Sequence, residues 1–167
     1  MSSKLFSNVV AVSALGISAM LSFNANAATA TSNMAITATV AAACTVSTAP
    51  LVFPVYTGVD VPGTADLTVT CTNEAPYNIG IGAGAGAAAT TSTRSLTNGA
   101  DSVALSYGIF QELAHTTNWG EVIGDDTLLG AGTGTAQTIA VYALIPGGQT
   151  ATTVGDYTDT VLVTVNY

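Results

Sequence analysis

Few side chains in this sequence have types and spacing that can do chemistry. Two cysteines, Cys44 and Cys71, stand 27 apart. A redox or metal role needs closer spacing or further ligands, which the sequence does not supply, so a structural disulfide is the expected reading. His115 is the single histidine. A serine or cysteine nucleophile would need it as a base, with a third group to orient it. No nucleophile-elbow motif accompanies it, and no second histidine offers a zinc site. It is therefore expected to be a solvated loop residue. Asp125-Asp126 and the Asp156/Asp159 pair have the chemistry of a glycosidase acid/base pair or of calcium ligands. The spacing of a calcium-binding loop is missing, and these carboxylates read as turn and edge residues. Trp119 could stack on a sugar, although a packing aromatic is the expected role. Arg94 is expected near a turn, paired with one of the carboxylates. Gly82 to Ala89 reads GAGAGAAA. As a phosphate-binding loop it lacks both the following helix and the Lys-Ser/Thr ending, so an extension of the preceding strand is expected. The residues assign no catalytic, cofactor-binding or metal site, and an enzyme is not expected.

The elements that must hold these residues are strands. No i, i+3, i+4 pattern of useful length occurs. Candidate strands are 44–47, 51–56, 66–72, 77–81, 103–111, 137–144 and 157–167. Turn chemistry separates them at Pro62-Gly63, Asn73 to Pro76, Asn98-Gly99, Pro146-Gly147-Gly148 and Gly155-Asp156, and Gly130 to Thr135 reads as a plain loop. Short strands with frequent turns predict an all-β sandwich.

Residues 1–27 read as a cleaved signal peptide. Lys4 provides the positive start, Val9 to Leu21 the apolar stretch, and Ala25-Asn26-Ala27 the small-x-small site. The chain after Ala27 then carries ten acidic residues against Arg94 alone, −9 from side chains. Nucleic-acid and anionic-membrane binding, which need Lys and Arg, are excluded on that count. No later stretch suits membrane insertion. The remaining length suits one domain with a real core.

The order Cys44-Thr45-Val46, Val69-Thr70-Cys71, Tyr77-Asn78-Ile79, Arg94-Ser95-Leu96 and Leu105-Ser106-Tyr107-Gly108-Ile109-Phe110 continues with three further landmarks. These are Asn118-Trp119-Gly120, Val141-Tyr142-Ala143-Leu144-Ile145-Pro146 and Gly155-Asp156-Tyr157-Thr158-Asp159-Thr160-Val161. The ordered set resembles the spore coat protein U domain family, whose members include Csu-type pilins of the archaic chaperone–usher pathway. The resemblance implies an incomplete immunoglobulin-like β-sandwich, over 41–167, completed by a donor strand from a neighbouring subunit. It also implies residues 28–40 as the donor arm. A periplasmic chaperone, an outer-membrane usher and identical or related subunits are the implied partners. The implied setting is a cell-surface fimbria of a Gram-negative bacterium, serving attachment and biofilm formation. Counting by twos places Met34, Ile36, Ala38 and Val40 on one face as groove-filling side chains. Ala38 is smaller than arms of the family usually carry. Val161, Val163, Val165 and Tyr167 share the face of the C-terminal strand that would border the groove. The rival readings are a secreted sugar-binding module built on Trp119 and a hydrolase built on the acidic pairs.

Overall fold

The structure is a computed structural model that describes residues 27–99 and 103–167. The expected signal sequence lies outside the described residues except for Ala27. The described residues divide into a leading segment up to Ala38 and a body from Thr39 to Tyr167. In the leading segment no residue is in a strand, and Met34 and Ile36 are exposed. Its alternating pattern suits a strand, yet a strand needs a neighbour to take its N–H and C=O groups.

The body is all-β, with no helix among the described residues. Its strands are β1 Cys44–Thr48, β2 Val61–Cys71, β3 Pro76–Ile81, β4 Arg94–Leu96, β5 Leu105–Phe110, β6 Leu128–Ala131, β7 Ala136–Ile145 and β8 Val163–Asn166. Five strands form one sheet in the order β1-β2-β7-β5-β4, and three form the other in the order β6-β3-β8. All pairings are antiparallel. Alternation drives the layering: in β2, Leu67, Val69 and Cys71 are buried while the residues between them are not. Leu67, Val69, Ile109, Val141 and Ile145 from the larger sheet share one core with Tyr77, Ile79 and Ile81 from the smaller. The result is an incomplete immunoglobulin-like sandwich. Cys44 lies directly opposite Cys71 on paired strands, and the two form a disulfide. It ties the short edge strand β1 to the sheet.

Five expectations need correction. Residues 51–56 do not form a strand; this stretch runs along the body with no neighbouring strand to pair with. Pro62-Gly63 is not a turn but part of β2. Pro62 fits there because β1 reaches only residues 67–71, so the missing N–H faces an unpaired edge. At Gly63 a Cβ would come within 2.8 Å of the Phe53 ring, so the glycine makes room for that ring. Gly130 belongs to β6, where the Tyr77 ring covers it too closely for any side chain. The C-terminal strand is shorter than 157–167, because residues 157–162 form no continuous ladder. Gly82 to Ala89 leaves the strand register after Ile81 and becomes a loop.

Candidate functional site

Strand β8 pairs with β3 on one side only, so its other edge has no strand neighbour among the described residues. The stretch 49–56, which leaves β1, is likewise outside any strand. Between these two margins lies a groove of about 950 Å³. One wall is residues 48–56, with Leu51 and Phe53 turned inward. The other is residues 152–163, with Tyr157, Val161 and Val163 turned inward. The floor is the buried face of the larger sheet, including Leu67, Leu105, Tyr107, Ile109, Val141 and Ile145. A trough with an apolar floor, bordered by the free edge of β8, can accept an extended chain with alternating apolar side chains.

The wall before β8 is set by polar contacts. Asp159 Oδ1 accepts hydrogen bonds from the N–H groups of Ala85 (2.8 Å) and Thr160 (2.7 Å). Its Oδ2 accepts one from the Tyr107 hydroxyl at 2.7 Å. Burial first, and the Asp159 partner second, push the Tyr107 phenol well above its ordinary range, so it stays a donor. Gly84 sits under this carboxylate with φ +89°, and a Cβ there would collide with Asp159.

Next to it, Arg94 is fully buried. Its Nε donates to Gly82 O at 2.7 Å and its Nη1 to Thr91 O at 2.6 Å. Its Nη2 donates to Ile81 O and Trp119 O, both at 2.7 Å. Burial lowers its pKa, opposed by the nearby Tyr107, Asp159, Glu121 and Asp126. Arg94 does follow directly on the bend at 91–93, as expected, but its hydrogen-bond partners are backbone carbonyls and not a carboxylate, contrary to expectation. Its planar fork gathers the carbonyls of Ile81, Gly82, Thr91 and Trp119 from two separate segments of the chain.

The remaining candidates disperse. Trp119 is fully buried and its indole N–H donates to Ile79 O at 2.8 Å, so it has no face for a sugar. Asp126 accepts from Val122 N (2.7 Å) and Asn118 Nδ2 (3.3 Å), closing the 118–126 loop. Asp125 and Asp156 are exposed, and Asp156 lies at the mouth of the groove. His115 is half-buried rather than solvated. It holds φ +54° and its ring packs edge-on against Phe110 at 5.2 Å. Glu112 receives the hydroxyl of Thr116 and the N–H groups of Thr116 and Thr117. These bonds, the hydroxyl first, pull its pKa down to about 2.

Of the groove-edge residues, Val161 and Val163 line the groove and Val165 packs against the core beyond it. Tyr167 is exposed. Met34, Ile36 and Val40 are all more than four-fifths exposed. Sequence reasoning missed Phe53 and Tyr107 as groove residues and missed the role of Asp159. The available signal was the Gly-Asp-Tyr-x-Asp-Thr-Val run, which forms the wall itself.

Residues 30–164 match the model of the Spore Coat Protein U domain. The chain is 32% identical over 159 residues to Protein U of Myxococcus xanthus, covering 86% of this chain and 88% of that protein. Among solved structures, its fold resembles a chain of the chaperone–tip adhesion subunit pre-assembly complex from archaic chaperone–usher Csu pili of Acinetobacter baumannii. The TM-score is 0.59 at 20% identity, covering 77% of this chain and 41% of that one. This chain therefore spans about two fifths of that chain's length. The all-β sandwich, the Cys44–Cys71 bridge and the family match over most of the sequence agree: the chain belongs to the Spore Coat Protein U domain family.

Proposed function

We propose that this protein is a structural subunit that polymerises head to tail by donor-strand exchange. The arm, residues 28–40, enters the groove of another copy and pairs with β8. Met34, Ile36, Ala38 and Val40 face the floor. One observation carries the reading: the sandwich has a groove with an apolar floor beside the free edge of β8, and the same chain carries an alternating apolar segment that has no strand partner among the described residues. Such contacts are heterologous, so repetition yields an open filament.

The remaining roles follow from that chemistry. A subunit with an open groove exposes apolar surface and strand edge during export, and a periplasmic chaperone would shield both. An outer-membrane usher would exchange the chaperone for the next arm. The product is a cell-surface fimbria serving attachment and biofilm formation. Kinship with a chaperone–usher fold supports this setting. The function is structural rather than catalytic. The sugar-binding alternative loses its main support, because Trp119 is buried.

Deleting residues 28–40, or the milder Ile36→Asp, tests the proposal. Ile36→Asp places a carboxylate against an apolar floor. Both variants should be exported yet give no filaments by electron microscopy. Normal filaments from the deletion would refute the arm assignment.

A further inference from the structure

The Asn98-Gly99 turn carries reactive chemistry that plays no part in the groove. Six asparagines follow Ala27, and the residues after them are Met34, Glu74, Ile79, Gly99, Trp119 and Tyr167 in turn. Asn98 alone precedes a glycine. The side-chain carbonyl carbon of an asparagine stands one ring closure away from the backbone nitrogen of the next residue. A Cβ on that next residue crowds the approach, and glycine has none. Asparagine is accordingly among the thermolabile residues.

Both reacting groups are unengaged at this turn. The Gly99 N–H has no hydrogen-bond partner among the described residues, and a Cβ built at Gly99 would meet nothing within 4 Å. Gly99 is exposed and holds φ +55°. The Asn98 carboxamide lies against Gly155 and makes no hydrogen bond among the described residues. Other asparagines are held or crowded. Asn78 Oδ1 accepts from the Thr127 hydroxyl at 3.4 Å, and Asn118 Nδ2 donates to Asp126 at 3.3 Å. Asn33 is exposed, but the bulky Met34 follows it.

We propose that Asn98 is a site of spontaneous deamidation, and that its conversion loosens the 152–163 wall. The co-reactant is water. The Gly99 nitrogen gives its proton to solvent base and forms a bond to Asn98 Cγ. The bond from Cγ to the carboxamide nitrogen breaks, and that nitrogen takes up a proton and leaves as ammonia. Water then adds to one of the two carbonyls of the cyclic succinimide and breaks its bond to the ring nitrogen. Opening at one carbonyl leaves aspartate at position 98. Opening at the other leaves isoaspartate, in which the main chain runs through the side-chain carbon. No oxidant or reductant takes part.

Position decides the consequence. Asn98 directly follows Thr97, whose N–H and C=O each bond to Thr158 at 2.9 Å. This pair ties the end of β4 to the wall. Either product puts a carboxylate beside Gly155, on a segment that already holds Asp156 and Asp159. No basic side chain offsets it, because Arg94, the only one after Ala27, is buried with its N–H groups on carbonyls. Isoaspartate also adds an atom to the main chain one residue from the tie. Like charge and a longer main chain act in the same direction, towards opening of the Thr97–Thr158 pair. None of this depends on what fills the groove.

The test incubates the purified protein in mildly alkaline buffer and follows every asparagine by peptide mass mapping, with isoaspartate detected by an isoaspartyl methyltransferase. Asn98 should convert at least tenfold faster than any other asparagine, with ammonia released in equal amount. Hydrogen exchange at Thr97 and Thr158 should be at least tenfold faster in the converted protein. Gly99→Ala should slow the conversion at least tenfold. Because alanine is strained at φ +55°, Asn98→Gln is the second variant. Its longer side chain closes the ring far more slowly, so ammonia release should fall at least tenfold and exchange at Thr97 and Thr158 should stay constant through the incubation. An Asn98 that converts in urea but keeps its amide in the folded protein overturns the inference, as does ammonia release that Asn98→Gln leaves unchanged. Conversion with unaltered exchange at Thr97 and Thr158 overturns the link to the wall.

Discussion

The two walls of the groove are built on different principles. The wall at 152–163 is fastened by directional bonds: Asp159 to two backbone N–H groups and to Tyr107, with Thr97 and Thr158 exchanging two further backbone bonds. The wall at 48–56 leans on the core through Leu51 and Phe53 and is tied down at its ends, at Ala49 and Tyr56. Between those ties it exposes Val52 and Val55. One side is thus held mainly by directional polar bonds and the other mainly by apolar packing. Under the proposed docking of a strand against β8, directional fastening of the β8 side suits ladder bonds, which tolerate little error in direction.

The contrast can be broken first at Arg94. Arg94→Met removes a buried fork that satisfies four carbonyls and so undoes the loop behind the 152–163 wall. Hydrogen bonds to charged groups contribute about 1.5 to 3 kcal/mol each, though not additively, so a loss of at least ~4 kcal/mol is expected in denaturant unfolding. A smaller loss would mean that water readily replaces the guanidinium.

The disulfide comes next. Cys44→Ala with Cys71→Ala should cost roughly 3 kcal/mol for a loop of this length in the chain-entropy model. The effect should reach the 48–56 wall more than the 152–163 wall, because β1 is the strand that leads into the former. Hydrogen exchange resolves the two.

Asp159→Asn should cost about 1 to 2 kcal/mol. It keeps the shape but exchanges one acceptor oxygen for a donor that faces either N–H groups or the Tyr107 hydroxyl. Its larger signature should be faster exchange at Ala85 and Thr160. Unchanged protection there would remove Asp159 from the locking role.

The smallest effect lies away from the groove. The Glu112 pKa is lowered in the folded state from 4.5 to about 2, so its contribution is present above pH 4.5 and fades as pH falls towards 2. Glu112→Gln should flatten stability over that interval and leave the neutral range almost unchanged. A titration of stability against pH checks the sign.

Much of the sandwich was legible in the sequence, because alternation in β2, β3, β5 and β7 is enforced by one buried face. The cysteine pairing was legible from count and compartment. The short strands β4 and β6 were not. At three and four residues they carry no periodicity, and β6 contains a glycine whose reason is the distant Tyr77 ring. Residues 51–56 looked like a strand because Leu51 to Tyr56 is a short continuous apolar run, yet a strand exists only where a partner does. The same reasoning covers the arm. Arg94 misled because a lone cation among ten acidic residues suggests an ion pair, whereas its partners are backbone carbonyls, which have no letter in the sequence.

The central claim is that the arm of one copy fills the groove of another. The most direct measurement places a photoreactive residue at position 36 in filaments assembled from a mixture of isotopically light and heavy chains, then maps the cross-links by mass spectrometry. Links from position 36 of light chains to groove residues such as Ile109 or Val161 of heavy chains are the expected result. Links confined to the same chain, or to surfaces outside the groove, would contradict the claim.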